Sequence, residues 1–465
     1  MGPLKVVVLV LAAAAACLGS EGSSSSSSET HPGLAVDISN DSNDRRPACL
    51  KGMACTEIGA KGEAGKEILV FGGEYNRKNV RNETWLLHLG HVGKNPKNPW
   101  HLLSKPGQDA PSPRWKASLT TIPPESSSSP SRIFMFGGSS SDEAPRRGAP
   151  AGVMYDDLWE FVLDKTTGHW VRVGPKPSAA NNPKEWPVAR RAHTAVAFVT
   201  KMLVFAGRGP QGVLSDFWAY DTKNNAWVSL PEFPGMPRKG HSACMYLGTF
   251  APAGATWADV WGEHKSSPSM IVFGGRHNDI KYTNDVWAFT WDNNKNERGW
   301  VQLDEGGPSR DSSGARVRPA KRNHHSAIMR ENIMLVFGGR SSHASYAVHD
   351  DLWAYDVVRS QWTQVDTINP GQGSPGRMEH CAVLMNNNKL MAIVSGQDGS
   401  SNRRNDAWTF NLETGVWNEI VPSQCTVPAS RGAIVASVII LVLGALLITY
   451  RFYQSSPSRG YQMIR

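Results

Sequence analysis

The sequence predicts an all-β chain wound into a six-bladed β-propeller, and three observations predict it. An apolar run closed by glycine occurs six times: ILVFGG (68–73), IFMFGG (133–138), MLVFAGR (202–208), MIVFGG (270–275), IMLVFGG (333–339) and MAIVSGQ (391–397). The closing glycines Gly73, Gly138, Gly207, Gly275, Gly339 and Gly396 lie 57 to 69 residues apart, an interval that signals propeller blades or another array. After each comes a loop and an acid two positions before a tryptophan: Trp85, Trp159, Trp218, Trp287, Trp353 and Trp408. A second tryptophan follows nine to fifteen residues on, at Trp100, Trp170, Trp227, Trp300, Trp362 and Trp417, so twelve of the 17 tryptophans belong to the repeat. The runs are short, β-branched or aromatic, and bounded by Gly, Pro, Asn or Ser, as strands are.

Length and charge leave room for this body. At about 150 residues per domain, 465 residues suggest roughly three domains or one large repetitive one. The 49 Lys and Arg against 41 Asp and Glu leave a net charge of +8, which excludes an acidic, expanded polymer.

The elements follow in chain order. Residues 1–22 carry Lys5, the apolar run VVVLVLAAAAA and small residues, the layout of a cleaved signal peptide. A polar, Ser-rich stretch (23–45) follows, with the glycan acceptor motif Asn40-Asp41-Ser42; a second, Asn82-Glu83-Thr84, lies in the first repeat. The repeats span 46–421, and a linker (422–431) leads to Gly432–Tyr450, nineteen uncharged residues. At about 1.5 Å per residue that helix matches a bilayer core, so a single transmembrane span is expected. Arg451, Arg459 and Arg465 in the tail (451–465) favour a cytosolic end and place the repeats outside the cytosol.

In an exported compartment Cys49, Cys55, Cys244, Cys381 and Cys425 are disulfide candidates before they are metal ligands. Cys49 or Cys55 precedes the repeats and Cys425 follows them, so a bridge stapling the two ends is expected, with Cys244 and Cys381 buried and free. The alternative pairs Cys49 with Cys55.

Between units stands Pro-x-x-Arg-x-x-His or a relative of it: PVARRAH (187–193), GMPRKGH (235–241), PAKRNHH (319–325), PGRMEH (375–380) and, with Ala117 for the histidine, PSPRWKA (111–117). Together with the glycine and tryptophan positions these residues resemble the Kelch repeat, over about residues 46–421. The resemblance implies four strands per blade, Arg-x-x-His on the first, the glycines after the second, and tryptophans on the third and fourth. Each buried indole removes about 150–250 Å² from water, so two per blade make a core. To close the ring, residues 46–58 are expected to supply the first blade's inner strand, with Cys49 in the histidine place.

The resemblance also implies that loops linking fourth to first and second to third strands share one face, which peptide-binding relatives use. Arg208, Arg276 and Arg340 each follow a closing glycine; with Arg146, Arg147, Arg403 and Arg404 they form a candidate basic rim for an acidic protein or glycan ligand, because guanidinium grips planar anions bidentately. Arg114, Arg190, Arg238, Arg322 and Arg377 are assigned to structural hydrogen bonding. His193, His241, His325 and His380 are related by the repeat, yet no carboxylate or cysteine at a matching offset argues for a metal. No cofactor is expected and catalytic motifs are absent, although Kelch propellers include a copper-radical sugar oxidase and sugar-acid epimerases. A luminal carbohydrate-active enzyme and a passive adhesion glycoprotein are the alternatives to a binding protein; nucleic acid is not expected as a partner. In the tail, Gly460-Tyr461-Gln462-Met463-Ile464 resembles the sorting signal of lysosomal membrane glycoproteins, in which Tyr461 and Ile464 would engage a clathrin adaptor.

Overall fold

A computed structural model describes residues 46–425 except 61–62, 77–78, 90–98, 105–109, 126–129, 141–151, 164–167, 174–184, 249–267, 279–280, 293–296, 343–347, 367–372 and 386–387. The expected signal peptide, Ser-rich stretch, transmembrane span and tail, with Asn40, Tyr461 and Ile464, lie outside the described residues, as do Arg146 and Arg147. Among the described residues no helix is long and apolar enough to cross a membrane.

The strands form six antiparallel sheets in chain order. Blade 1 is β1 (Ala54–Ala60), β2 (Glu63–Asn76), β3 (Asn79–His88) and β4 (Trp100–Ser104). Blade 2 is β5 (Ser118–Ile122), β6 (Arg132–Phe136), β7 (Leu158–Leu163) and β8 (Gly168–Arg172), and blade 3 is β9 (Thr194–Phe198), β10 (Lys201–Arg208), β11 (Val213–Asp221) and β12 (Ala226–Ser229). Blade 4 is β13 (Ser242–Tyr246), β14 (Ser269–Arg276), β15 (Tyr282–Asp292) and β16 (Glu297–Asp304), and blade 5 is β17 (Ser326–Arg330), β18 (Ile333–Phe337), β19 (Leu352–Asp356) and β20 (Gln361–Gln364). Blade 6 is β21 (Arg377–Met378), β22 (Cys381–Met385), β23 (Leu390–Asp398), β24 (Arg403–Asn411) and β25 (Trp417–Val421).

The second strand of each blade is buried on both faces, which is why it reads as an unbroken apolar run instead of an alternation. In blades 3, 5 and 6 the third and fourth strands are joined by turns in which a side-chain oxygen caps the following amides: Asp221 accepts from Lys223 and Asn224, Asp356 from Val358 and Arg359, and Asn411 from Glu413 and Thr414.

Six apolar clusters each lie between neighbouring sheets. The fourth-strand tryptophan leans back on the phenylalanine before the preceding blade's glycines. Trp170 meets Phe71, Trp227 Phe136, Trp300 Phe205, Trp362 Phe273 and Trp417 Phe337, with ring centroids 4.9–5.2 Å apart. Seven of the twelve repeat tryptophans are buried and the other five half-buried.

The closing glycines make the blade-to-blade contact. The amide of Gly275 donates to the carbonyl of Arg322 in the next blade, and the same bond recurs at all six junctions at 2.8–3.1 Å. Gly275 has φ +105°, and a Cβ there would stand 2.9 Å from the Cβ of His241. The position before it is less strict: Ala206 and Ser395 occupy it with φ near +55°.

Each sheet is built from one contiguous segment, so no terminal strand is shared across the seam between blades 6 and 1. Two disulfides cross it, Cys49–Cys425 and Cys55–Cys381. The first is the expected staple. The second corrects the expectation that Cys381 is free; among the described cysteines Cys244 alone is a thiol, and it is buried. The ring geometry explains the second bridge. At four junctions a histidine Nε2 is hydrogen-bonded to a hydroxyl of the preceding blade, at 2.7–3.0 Å: His193 to Ser118, His241 to Thr194, His325 to Ser242 and His380 to Ser326. At the seam Met53 stands in the histidine place, beside Gly73 as His193 is beside Gly207, and Cys381 follows His380 in the hydroxyl place. Cys49 is therefore not the histidine equivalent, and the disulfide from Cys381 spans one of the two junctions that lack the hydrogen bond, the other being that of blades 1 and 2, where Ala117 stands in the histidine place.

Candidate functional site

The repeat arginines build the frame. In blades 2 to 6 the guanidinium of Arg114, Arg190, Arg238, Arg322 or Arg377 takes both oxygens of Asp157, Asp216, Asp285, Asp351 or Asp406 at 2.5–3.1 Å. It also donates to the carbonyl of the residue before the closing glycine, at 2.9–3.1 Å. The same aspartates accept the indole N–H of Trp159, Trp218, Trp287, Trp353 and Trp408. Burial raises the Asp351 carboxyl, but the bonds and charge of Arg322 outweigh it and hold it at about 2. These five arginines are structural, and their aspartates are the acids of the acid-x-Trp signature. Blade 1 puts Leu50 in the arginine place, and Glu83 there pairs with Trp85.

Just after each arginine the chain turns at the propeller axis. Six residues with φ between +52° and +63°, Gly52, Lys116, Ala192, Gly240, His324 and Glu379, donate amide to carbonyl in one closed circle. Gly52 donates to Glu379, Glu379 to His324, His324 to Gly240, Gly240 to Ala192, Ala192 to Lys116 and Lys116 to Gly52, at 2.7–3.0 Å. This circle lies at the end of the axis from which the fourth-to-first and second-to-third loops leave.

Beside the circle the chain is locked by short antiparallel bridges: Lys51 to Glu74, Trp115 to Ser139, Arg191 to Arg208, Lys239 to Arg276 and Asn323 to Arg340, with Met378 paired to Gln397 in β23. Arg208, Arg276 and Arg340 are thus brought together as a cationic arc over blades 3, 4 and 5. Arg403 and Arg404 belong to a different setting. Arg403 pairs across the seam with Glu74, and Arg404 with Asp398 at 2.8 Å. Among the described rim arginines the arc is therefore confined to blades 3 to 5, because Glu74 and Asp398 take up Arg403 and Arg404 of blade 6.

Seven further residues at the axis carry no repeat signature: Lys51, Trp115, Lys116, Arg191, Lys239, Asn323 and Glu379. Their signal is positional, one or two places after the repeat arginine or its blade 1 equivalent. Trp115 is buried, with Lys116 Nζ 4.0 Å, Lys51 Nζ 5.1 Å and the Arg191 guanidinium 5.7 Å from its ring centre, an arrangement that favours cations over the indole face. Glu379 receives Lys116 at 2.6 Å and Lys51 at 3.3 Å, with His324 at 3.5 Å. Burial raises its carboxyl, yet Lys116, Lys51 and His324 outweigh burial and hold it well below the usual range. A pocket of about 650 Å³ lies beside the arc on blade 4, lined by Met236, Pro237, Tyr282 and Trp287 with Lys281 and Lys321.

Asn82, the second expected glycan acceptor, is buried, and its side-chain amide donates to the carbonyl of Pro111 at 3.1 Å. Of the repeat histidines, His193, His241 and His325 are buried as well and His380 is half-buried. Desolvation, and then the charge of the adjoining repeat arginine, lowers His193 and His325 to about 3.

Comparison with known proteins agrees with this geometry. An F-box/kelch-repeat protein of Arabidopsis thaliana is 23% identical over 354 residues, 71% of this chain and 63% of that protein. Kelch domain-containing protein 3 of Rattus norvegicus is 25% identical over 313 residues, 63% of this chain and 68% of the relative. The host cell factor homolog hcf-1 of Caenorhabditis elegans is 27% identical over 250 residues, 50% of this chain and 28% of the relative. The chain thus spans less than two thirds of the length of the first and third of these proteins. The model of the KLHDC2/KLHL20/DRC7 Kelch-repeats domain matches residues 52–261 and 260–443. With six four-stranded blades, the arginine-aspartate clamps and this match together, the chain belongs to that Kelch-repeat family.

Proposed function

We propose that this protein is an exported Kelch propeller on a single membrane anchor that binds an acidic protein or glycan ligand with the loop face of blades 3 to 5. The observation that carries the reading is the arc of Arg208, Arg276 and Arg340, which the backbone bridges hold at the axis on three successive blades, whereas Arg403 and Arg404 pair with Glu74 and Asp398. Such a sector attracts anionic surfaces and raises their association rate. The two disulfides at the seam support an oxidising compartment, in keeping with the signal peptide and span read from residues 1–22 and 432–450. Adaptor-mediated sorting through Tyr461 and Ile464 belongs to the same reading.

The test is proximity labelling from the full-length protein in cells, wild type against Arg208→Glu/Arg340→Glu. A reproducible set of luminal or extracellular proteins, lost in the double variant at equal expression, is the expected result. An identical set from both proteins removes the arc from the function.

A further inference from the structure

Asn323 and Arg340 face each other in an antiparallel bridge, each amide donating to the other's carbonyl at 3.0 Å, so their side chains leave the ladder on the same side. Asn323 is wholly buried, and among the described residues neither its Nδ2 nor its Oδ1 has a hydrogen-bond partner. The Nε of Arg340 is likewise buried and without one. The neighbouring blade places Lys239 and Arg276 in the same cross-strand arrangement, and His324 lies between the two blades, its ring against Gly240. A buried amide left without partners costs about 1–3 kcal/mol, so it calls for a partner that both donates and accepts a hydrogen bond.

We infer that Asn323, Arg340, Arg276 and Lys239 hold one inorganic hydrogen phosphate ion at the axial end of blades 4 and 5. Its oxygens accept from the guanidinium groups, the ammonium and Asn323 Nδ2, while its P–OH donates to Asn323 Oδ1. Sulfate and carboxylate carry no proton at neutral pH and leave Oδ1 without a donor, so the amide distinguishes phosphate from them. The inference rests on the proposed loop-face reading only through Arg276 and Arg340, and it fails separately: phosphate binding can be lost while partner labelling persists.

The experiment is calorimetric titration of the purified full-length protein at pH 7 and constant ionic strength with inorganic phosphate, sulfate and glucose 6-phosphate. One phosphate site is expected, with affinity about tenfold or more above sulfate and reduced by a similar factor in Arg340→Gln. Asn323→Leu is expected to equalise phosphate and sulfate, and Arg359→Gln, at an exposed surface pair, to behave as wild type. Because Asn323→Leu sits in a packed place, the wild-type ratio and Arg340→Gln decide if it does not fold. No saturable phosphate binding, equal affinity for sulfate in the wild type, or unchanged binding in Arg340→Gln overturns the inference. Equal affinity for glucose 6-phosphate also overturns it, assigning the site to an ester head group instead of the free ion.

Discussion

Arg377 and Asp406 are joined by two parallel hydrogen bonds of 2.8 and 3.0 Å, with side chains 0% and 1% exposed. Removing either partner leaves the other charge buried and alone, which costs about 3–5 kcal/mol. Arg377→Gln and Asp406→Asn are each expected to lower unfolding stability by that order, and the double variant by less than the sum. Urea unfolding followed by tryptophan fluorescence measures this; additive losses contradict the pairing.

Reduction should act at the seam. With no shared strand, the packing of blade 6 on blade 1 is reinforced covalently by Cys49–Cys425 and Cys55–Cys381, at sequence separations of 376 and 326. Loss of a native disulfide typically costs about 2–5 kcal/mol. Cys55→Ser with Cys381→Ser is expected to lower the melting temperature and to speed hydrogen exchange in β1 and β22 ahead of β9 and β13. Uniform exchange in all four strands would contradict a seam-specific role.

Acid should destabilise the ring. His193 and His325 titrate near 3 and His349 near 4 when folded, chiefly through burial, against about 6.5 unfolded. The unfolded chain therefore binds more protons below pH 6.5. Their contribution is complete above that value and is lost as pH falls, by about 1.4 kcal/mol per pH unit for each fully shifted group. Glu57, which burial raises to about 7, works oppositely: its contribution is present at low pH and lost as pH rises through 7, offsetting about one histidine. Urea midpoints between pH 5 and 8 are expected to fall on the acid side; a flat profile contradicts these burials.

The two positions at the end of β14 should differ. Gly274→Ala puts Ala where blade 3 already carries Ala206, and is expected to cost about 1–2 kcal/mol. Gly275→Ala meets both φ +105° and the Cβ of His241 at 2.9 Å, and is expected to cost more. Equal thermal shifts would mean that the junction yields.

Cell location tests the two ends of the chain. Tyr461→Ala is expected to move the protein toward the cell surface, read by surface biotinylation of the full-length chain. Glycopeptide mass spectrometry is expected to find a glycan at Asn40 and none at Asn82.

The repeat was legible because its signature residues recur: five arginines, six closing glycines and twelve tryptophans stand at matching offsets, and each offset reflects one contact made again in every blade. The axial site was legible only in part. Arg208, Arg276 and Arg340 could be located because they follow the glycines. That Arg403 is consumed by Glu74, 329 residues away, could not be read, because the pairing exists only once the ring closes. The partner of Cys381 could not be read for the same reason, and the burial of Asn82 does not show in a linear motif.

By itself the sequence determined the number of blades, the strand order within each and which residues build the sheets, since these depend on contacts repeated within about sixty residues. The tertiary structure alone decided how blade 6 meets blade 1, which cysteines join, and which cations remain at the axis. Those outcomes depend on residues from opposite ends of the chain meeting around one centre, and a linear pattern does not encode which of several like charges reaches a given acid first.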